Sequence, residues 1–116
     1  MSWNEGYILT LYCTACNNPK GSRDIAYTEG IYKKATAGLT VAVHPDFYDL
    51  HKGERIHLEI LDKNGNIIAS HQPYILDFHG VEDYIIDLYI GEKNKCICSE
   101  YNGWSGKRCR FKFINE

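Results

Sequence analysis

The sequence predicts an all-β domain, and three of its features carry that prediction. The chain has 116 residues, of which 44% are hydrophobic and 24% charged, as is typical of one globular domain with its own core. It contains nine Tyr, four Phe and two Trp, and aromatic residues favour strands. Several short segments alternate apolar and polar residues, which is the period of a strand with one buried face. We therefore expect a single domain over residues 1–116.

Six segments show this alternation or a short apolar run. They span residues 7–13, 39–43, 55–61, 66–76, 84–90 and 108–114. Leu9 and Leu11 share one face of the first segment, and Pro45 stops the second. Pro73 interrupts the fourth segment, because proline cannot donate to a strand ladder.

The third and the last segments alternate most regularly. Ile56, Leu58 and Ile60 share one side of the third segment, and Phe111 and Phe113 share one side of the last. In both segments the residues between them are polar or charged, as expected for a strand with one face on the core.

A tight hairpin is predicted between the third and fourth segments. Asn64-Gly65 is the strongest short hairpin signal, since both residues can adopt positive φ. No window predicts a long amphipathic helix, and short helices are expected only within 45–52 or 92–102. Six short strands in one small domain form a closed or nearly closed β-barrel, or a sandwich.

Charge and hydropathy argue against two classes of partner. Lys and Arg number 13 and Asp and Glu 15, a formal net charge of −2, whereas proteins that bind nucleic-acid phosphates are normally basic. The longest apolar runs are only a few residues, too short for a membrane span. The first six residues show no basic region followed by an apolar stretch, so we expect no signal peptide in this chain.

Asp87 is the first candidate catalytic residue. It lies on the opposite face of its predicted strand from Ile86 and Leu88, beside Tyr89. A carboxyl group in an apolar strand has its pKa raised by desolvation, as a general acid near neutral pH requires. The alternative is a solvated carboxylate on the outer face, which is the commoner situation.

Asp77 is the second candidate, at the end of an apolar run where strands feed loops and functional groups gather. The alternative is an Asx-type turn beside Gly80. Paired carboxylates are the usual equipment for cleaving glycosidic bonds, so the two aspartates suggest a glycan substrate. His44 and His79 flank the same turns as the acids and are candidates for contacting that substrate.

Aromatic side chains on the outer face are candidates for stacking on sugar rings. Tyr89 and Trp104, together with Tyr12 and Tyr101, can offer flat rings to the apolar faces of pyranoses. The alternative is a role in the core, the commoner place for Trp.

The five cysteines leave three alternatives open. Cys13 and Cys16 form one close pair and Cys96 and Cys98 a second, and four thiolates can hold a tetrahedral zinc ion. One or two disulfides are a second possibility. Reduced thiols are the third, because Cys13 and Cys109 fall on the core-facing sides of their strands, where cysteine behaves as a small apolar residue.

Several stretches resemble the three-aspartate (3D) domain family. Thr-Val-Ala-Val-His-Pro at 40–45, followed by residues 50–56, resembles that family's VAVDP…PLGTRVYI segment. Residues 76–80 and 86–89 resemble DTGGAIKG.RIDLY, and Ile-Asp-Leu-Tyr is the most specific match. The Cys-x-x-Cys opening and the tail at 106–113 are also similar, so the resemblance covers nearly the whole chain.

The resemblance implies a six-stranded double-psi β-barrel, related to the catalytic barrel of the membrane-bound lytic transglycosylase A family. Asp87 matches the family's last aspartate, the acid/base of the transglycosylases, and Asp77 matches a supporting aspartate. The implied function is that of a lytic transglycosylase, which cleaves peptidoglycan at the bacterial cell wall to 1,6-anhydro products. We expect a monomer without a cofactor, similar to a phage-type lysin.

The sequence departs from the family pattern around the implied site. His44 stands where the family has its first aspartate, and Phe78-His79 replaces Thr-Gly after Asp77. The loop between Asp77 and Asp87 is one residue shorter and lacks the family's Lys. These changes favour the alternative, a non-catalytic polysaccharide-binding or structural module with the same fold.

Overall fold

The computed structural model describes residues 2–20, 25–27, 31–33 and 35–114, and this part of the chain is mostly β. Its strands are β1 (Asn4–Tyr12), β2 (Ile25–Tyr27), β3 (Ile31–Lys33), β4 (Thr40–Val43), β5 (Ile56–Leu61), β6 (Ile67–His71), β7 (Tyr74–Phe78), β8 (Ile85–Tyr89) and β9 (Arg108–Phe113). Helix α1 (Pro45–His51) and a 3₁₀ turn at Tyr101–Gly103 complete the described elements. The all-β prediction is confirmed, and each of the six predicted segments contains a strand.

Seven strands form one sheet in the order β6-β5-β9-β1-β8-β4-β7, and β2 pairs separately with β3. The β1–β8 and β4–β7 pairs are parallel, and the other ladders are antiparallel. The six-stranded closed barrel is therefore wrong for the described residues, because the sheet has seven strands and two edges. The predicted strand at 66–76 breaks at Pro73 into β6 and β7, which lie at opposite edges.

The sheet is nevertheless strongly curved. An isolated bridge joins Arg55, just before β5, to Tyr74 at the start of β7. The Ile56 N–H also donates to the Pro73 carbonyl oxygen at 2.9 Å. Because β7 is an edge strand and β5 lies near the other edge, the sheet must bend round to bring these residues together.

The predicted hairpin between β5 and β6 is confirmed, but its turn is longer than two residues. The Gly65 N–H donates to the Asp62 carbonyl at 3.0 Å, and Gly65 alone of the central residues has positive φ, at 85°. The Asp62 carboxylate accepts from the N–H groups of Asn64 and Asn66 at 2.8 and 2.9 Å. A turn followed by a left-handed glycine and a register shift is a common way to join twisted strands.

The inner face of the sheet and α1 enclose one hydrophobic core, with the alternation expected from the sequence. Its buried members include Leu9, Leu11, Cys13, Val41, Val43, Ile56, Leu58, Ile60, Ile75, Ile86, Leu88, Ile90, Cys109 and Phe111. Tyr12, Ala42 and Tyr89 form a second small cluster on the outer face. Within the described residues, no helix has the length and apolar character needed to cross a membrane.

Candidate active site

Four residues lie in one row across adjacent strands on the outer face of the sheet. Asp77 of β7 and Asp87 of β8 both pair with Ala42 of β4, and Asp87 also pairs with Thr10 of β1. Paired residues on neighbouring strands project to the same side of a sheet. The row therefore brings the two aspartates to one site, with only the methyl group of Ala42 between them.

A β-bulge puts Asp77 into this row. Asp77 has the same parity as Ile75, which is buried in the main core, so regular alternation turns both side chains inward. The register with β4 shifts between Val41 and Ala42, so Val41 opposes Ile75 while Ala42 opposes Asp77. Bulges re-aim side chains in this way, and here the shift carries Asp77 to the outer face.

The row forms the floor of a cleft of about 390 Å³. Its walls come from β1, from residues 17–20 and from the turn at 78–81. Asn17, Asn18 and Lys20 contribute to the first loop wall, and Phe78 and His79 to the second. Because the side chain of Ala42 is small, space remains above the floor between the two carboxyl groups.

Asp77 is buried and held as a hydrogen-bond acceptor. Its Oδ2 accepts from the Tyr12 hydroxyl at 3.0 Å, and its Oδ1 accepts from the Lys20 and Phe78 N–H groups at 2.9 Å each. Burial, together with the neighbouring Asp77 charge, raises the pKa of Tyr12, so its hydroxyl stays protonated and donates. This arrangement suits an ionised carboxylate, which accepts hydrogen bonds and has none to donate.

Asp87 has a different environment. Burial and, to a smaller extent, the Asp77 charge raise the pKa of Asp87 to about 6, although a hydrogen bond from the Thr10 hydroxyl at 2.9 Å acts in the opposite direction. The two aspartates therefore differ: Asp77 is fixed by donors, and Asp87 can hold a proton near neutral pH. Two carboxyl groups with such different surroundings are typical of an acid and its electrostatic partner.

The Tyr12–Asp77 hydrogen bond yields a stability prediction. We expect Tyr12→Phe to lower the free energy of unfolding by about 1.5–3 kcal/mol, because a buried hydrogen bond to a charged group is lost. The matched control is Tyr89→Phe, whose ring centroid lies 5.1 Å from that of Tyr12. This control leaves the Tyr12–Asp77 bond in place and is expected to cost less. Urea denaturation of both variants measures the difference, and equal costs would contradict the assigned role of the Tyr12 hydroxyl.

His79 orders the turn between the two aspartates. Its Nε2 donates to the Ile85 carbonyl at 2.9 Å, and its Nδ1 accepts from the Val81 N–H at 3.3 Å. Burial is the largest cause of its lowered pKa, so the ring is neutral at pH 7. With both nitrogens engaged within the turn, His79 holds this wall of the cleft in place.

The other predicted site residues lie elsewhere. His44 caps the start of α1, where its Nδ1 accepts from the Asp46 N–H at 3.2 Å, and it lines a second cleft. Trp104 packs edge-on against His71 beside a third cleft. Tyr89 is 5% exposed and packs against Tyr12. The structure thus brings together Asp77, Asp87 and His79, but not His44, Tyr89 or Trp104, in the first cleft.

Sequence reasoning did not identify Thr10, Ala42 or the Lys20 N–H as parts of the site, and it treated Tyr12 only as a stacking ring. Thr10 and Tyr12 alternate with the buried Leu9 and Leu11, so their outward direction was readable from the strand pattern. Their contact with the aspartates was not, since the hydrogen-bonded pairs are separated by 77 and 65 residues in the chain.

The two close cysteine pairs also meet. The sulfurs of Cys13, Cys16, Cys96 and Cys98 all lie within 4.8 Å of one another. Cys16 and Cys96 form a disulfide, and Cys13 and Cys98 are buried thiols. Cys109 lies apart in the main core, where burial raises its pKa to about 12.

Comparison with known proteins does not assign the chain to a family. No protein-family model matches the chain, and no curated protein matches its sequence. The resemblance to the three-aspartate domain family thus stays a prediction based on short motifs.

Proposed function

We propose that the protein cleaves the glycan strands of bacterial peptidoglycan as a lytic transglycosylase. The observation that carries this proposal is the pair of aspartates in one cleft, with Asp77 fixed by donors and Asp87 able to hold a proton near neutral pH. Glycosidic bond cleavage needs one carboxyl group to give a proton and a negative charge near the developing cation. The motif resemblance around both residues supports the same reaction.

In the proposed reaction, Asp87 acts first as an acid. Its carboxyl proton passes to the oxygen that links MurNAc C1 to GlcNAc as the C1–O bond breaks. Positive charge then develops on the MurNAc ring, with an oxocarbenium-like transition state. The resulting Asp87 carboxylate takes the proton from the 6-hydroxyl of the same MurNAc while that oxygen bonds to C1. The product is a 1,6-anhydro sugar, and no water is consumed.

Asp77 stabilises this reaction by its charge. Its carboxylate lies in the same row as Asp87, and the Tyr12 hydroxyl and the Lys20 and Phe78 N–H groups keep it in place. A preorganised charge that faces a developing cation lowers the barrier without reorganisation during the reaction. Because Asp77 and Asp87 have separate hydrogen-bond partners, the two carboxyl groups can keep different protonation states.

Digestion of peptidoglycan sacculi tests the proposal. Wild-type protein is incubated with sacculi at pH 5–6, and soluble products are identified by mass spectrometry beside Asp87→Asn. Asp83→Asn is the matched control, because Asp83 is exposed, lies near His44 and lines another cleft. We expect 1,6-anhydro-muropeptides from wild type and Asp83→Asn, and none from Asp87→Asn.

The products separate the alternatives. Reducing-end products that have gained water would keep Asp87 as the acid but make the enzyme a hydrolase. Binding of sacculi by wild type without release of any fragment would overturn catalysis and favour the non-catalytic polysaccharide-binding module. Equal release by wild type and Asp87→Asn would overturn the assigned role of Asp87.

A further inference from the structure

Parallel strand pairing explains why the two cysteine pairs meet. β1 and β8 are parallel and in register, with Tyr12 opposite Tyr89, so the segments that follow them begin at the same end of the sheet. Cys13 and Cys16 lie in the first segment and Cys96 and Cys98 in the second. The Thr14 N–H donates to the Gly91 carbonyl at 3.2 Å, which ties the two segments together.

The four sulfurs have the spacing of a metal site. Zinc–thiolate bonds of about 2.3 Å in a tetrahedron place the sulfurs about 3.8 Å apart. The Cys13–Cys16 and Cys16–Cys98 sulfur pairs lie 3.4 and 3.5 Å apart, and the whole set lies within 4.8 Å. The bonded Cys16–Cys96 pair has to separate the most, and both of these residues are exposed.

The surroundings of Cys13 also suit a metal-bound thiolate. Against the opposing effect of burial, backbone N–H groups of both loops, from Ala15 and Cys16 on one side and Ile97 on the other, lower the pKa of the Cys13 thiol. Backbone donors around a ligating sulfur commonly orient it and stabilise its negative charge.

We propose that Cys13, Cys16, Cys96 and Cys98, as four thiolates, bind one zinc ion. Thiolates are soft ligands that select zinc over magnesium or calcium. On binding, four thiols lose four protons and each sulfur forms one bond to the ion. A phosphine reductant first converts the Cys16–Cys96 disulfide to two thiols, with the phosphine oxidised to its oxide and the oxygen supplied by water.

The ion would be structural. All four tetrahedral positions are filled by protein sulfurs, which leaves none for water or substrate. The site cross-links the loop after β1 to the loop after β8. The first of these loops continues into residues 17–20, one wall of the cleft, and the Lys20 N–H holds Asp77. The proposal does not depend on the glycan-cleaving activity.

Metal binding is tested with the full chain, reduced with phosphine under anaerobic conditions. Zinc is measured by elemental analysis after gel filtration, and a parallel sample is loaded with cobalt to record its absorption spectrum. We expect one zinc per chain, and a cobalt spectrum of tetrahedral tetrathiolate type. Cys109→Ala is the matched control, because it removes a cysteine outside the cluster and should keep both results.

Cys98→Ser separates a metal site from a disulfide. Cys98 is outside the disulfide, so its replacement leaves that bond intact but removes a zinc ligand. We expect its zinc affinity to fall by more than about 100-fold, since loss of an outer-shell partner alone costs 10–100-fold. Cys96→Ser, at an exposed position, should show the same loss, and circular dichroism checks that its fold is intact.

Two results would overturn the proposal. One is a reduced wild-type protein that keeps its β-sheet spectrum yet holds no zinc or cobalt. The other is a Cys98→Ser variant that binds zinc as tightly as wild type.

A chelator should also lower the Tm of the zinc-loaded protein by about 10 °C or more. An unchanged Tm would contradict the structural role of the ion.

Discussion

Asp87→Asn is expected to abolish glycan cleavage and, at the same time, to stabilise the protein above pH 6. Loss of a general acid typically lowers the rate by about 10²–10⁴-fold. The stability gain has a separate cause, because ionised Asp87 is a half-buried charge next to the fixed charge of Asp77. Asn has the same shape and keeps an oxygen that can accept from Thr10. A residue kept for chemistry at a cost in stability is a common feature of active sites.

The direction of this pH dependence follows from the pKa of Asp87. Burial raises it to about 6 in the folded protein, against about 3.9 in an unfolded chain. Below pH 4 both states are protonated, and wild type and Asp87→Asn should be equally stable. Between pH 4 and 6 the unfolded wild type loses its proton first, so the wild type becomes less stable than the variant. The gap is expected to reach roughly 1–3 kcal/mol above pH 6.

Urea denaturation at pH 4 and pH 8 measures this gap directly. Asp83→Asn is again the control, since an exposed carboxylate should change stability by less than about 0.5 kcal/mol at either pH. A variant less stable than wild type at pH 8 would show that the Asp87 charge is well compensated in the fold. The activity of wild type should fall about tenfold per pH unit above pH 6, as the protonated fraction of Asp87 declines.

The strands were largely predictable because their signal is local. Alternation in β1, β5 and β9 directly identified the buried residues Leu9, Leu58 and Phe111. The β2–β3 pair was not predicted, and the break at Pro73 was noticed without its consequence. The consequence is that β6 and β7 lie at opposite edges of the sheet. Which strands they pair with depends on tertiary packing, for which residues 72–73 carry no local signal.

The site was predictable in its chemistry but not in its geometry. Asp77 and Asp87 could be chosen by residue type and by position near strand ends. In regular strands, however, Asp77 would share the core face with Ile75 while Asp87 points outward, and the register shift opposite Ala42 brings the two together. The cysteine pairs show the same limit, because their spacing suggests zinc or disulfides while their meeting depends on the parallel β1–β8 ladder.

Asp77→Ala is expected to destabilise the protein by about 2–5 kcal/mol, the largest stability effect at the site. The substitution leaves the Tyr12 hydroxyl and the Lys20 and Phe78 N–H groups without the acceptor that they now use. Each buried donor left unsatisfied costs about 1–3 kcal/mol, and of these three only the Tyr12 hydrogen bond is fully buried, whereas those of Lys20 and Phe78 are part-buried. Asp83→Ala, at an exposed site, should cost less than about 0.5 kcal/mol.

A double-mutant cycle tests whether these hydrogen bonds are the cause of the loss. In Tyr12→Phe the hydroxyl is already absent, so removal of Asp77 leaves one fewer hydrogen-bond donor without an acceptor. The cost of Asp77→Ala in that background should therefore be smaller by about 1–2 kcal/mol than in wild type. Strict additivity would show that the Tyr12 hydroxyl and Asp77 contribute independently. In that case the Tyr12 hydroxyl would not be what fixes Asp77, and its assigned role as a fixed charge beside Asp87 would have to rest on other contacts, among them the Lys20 and Phe78 N–H groups.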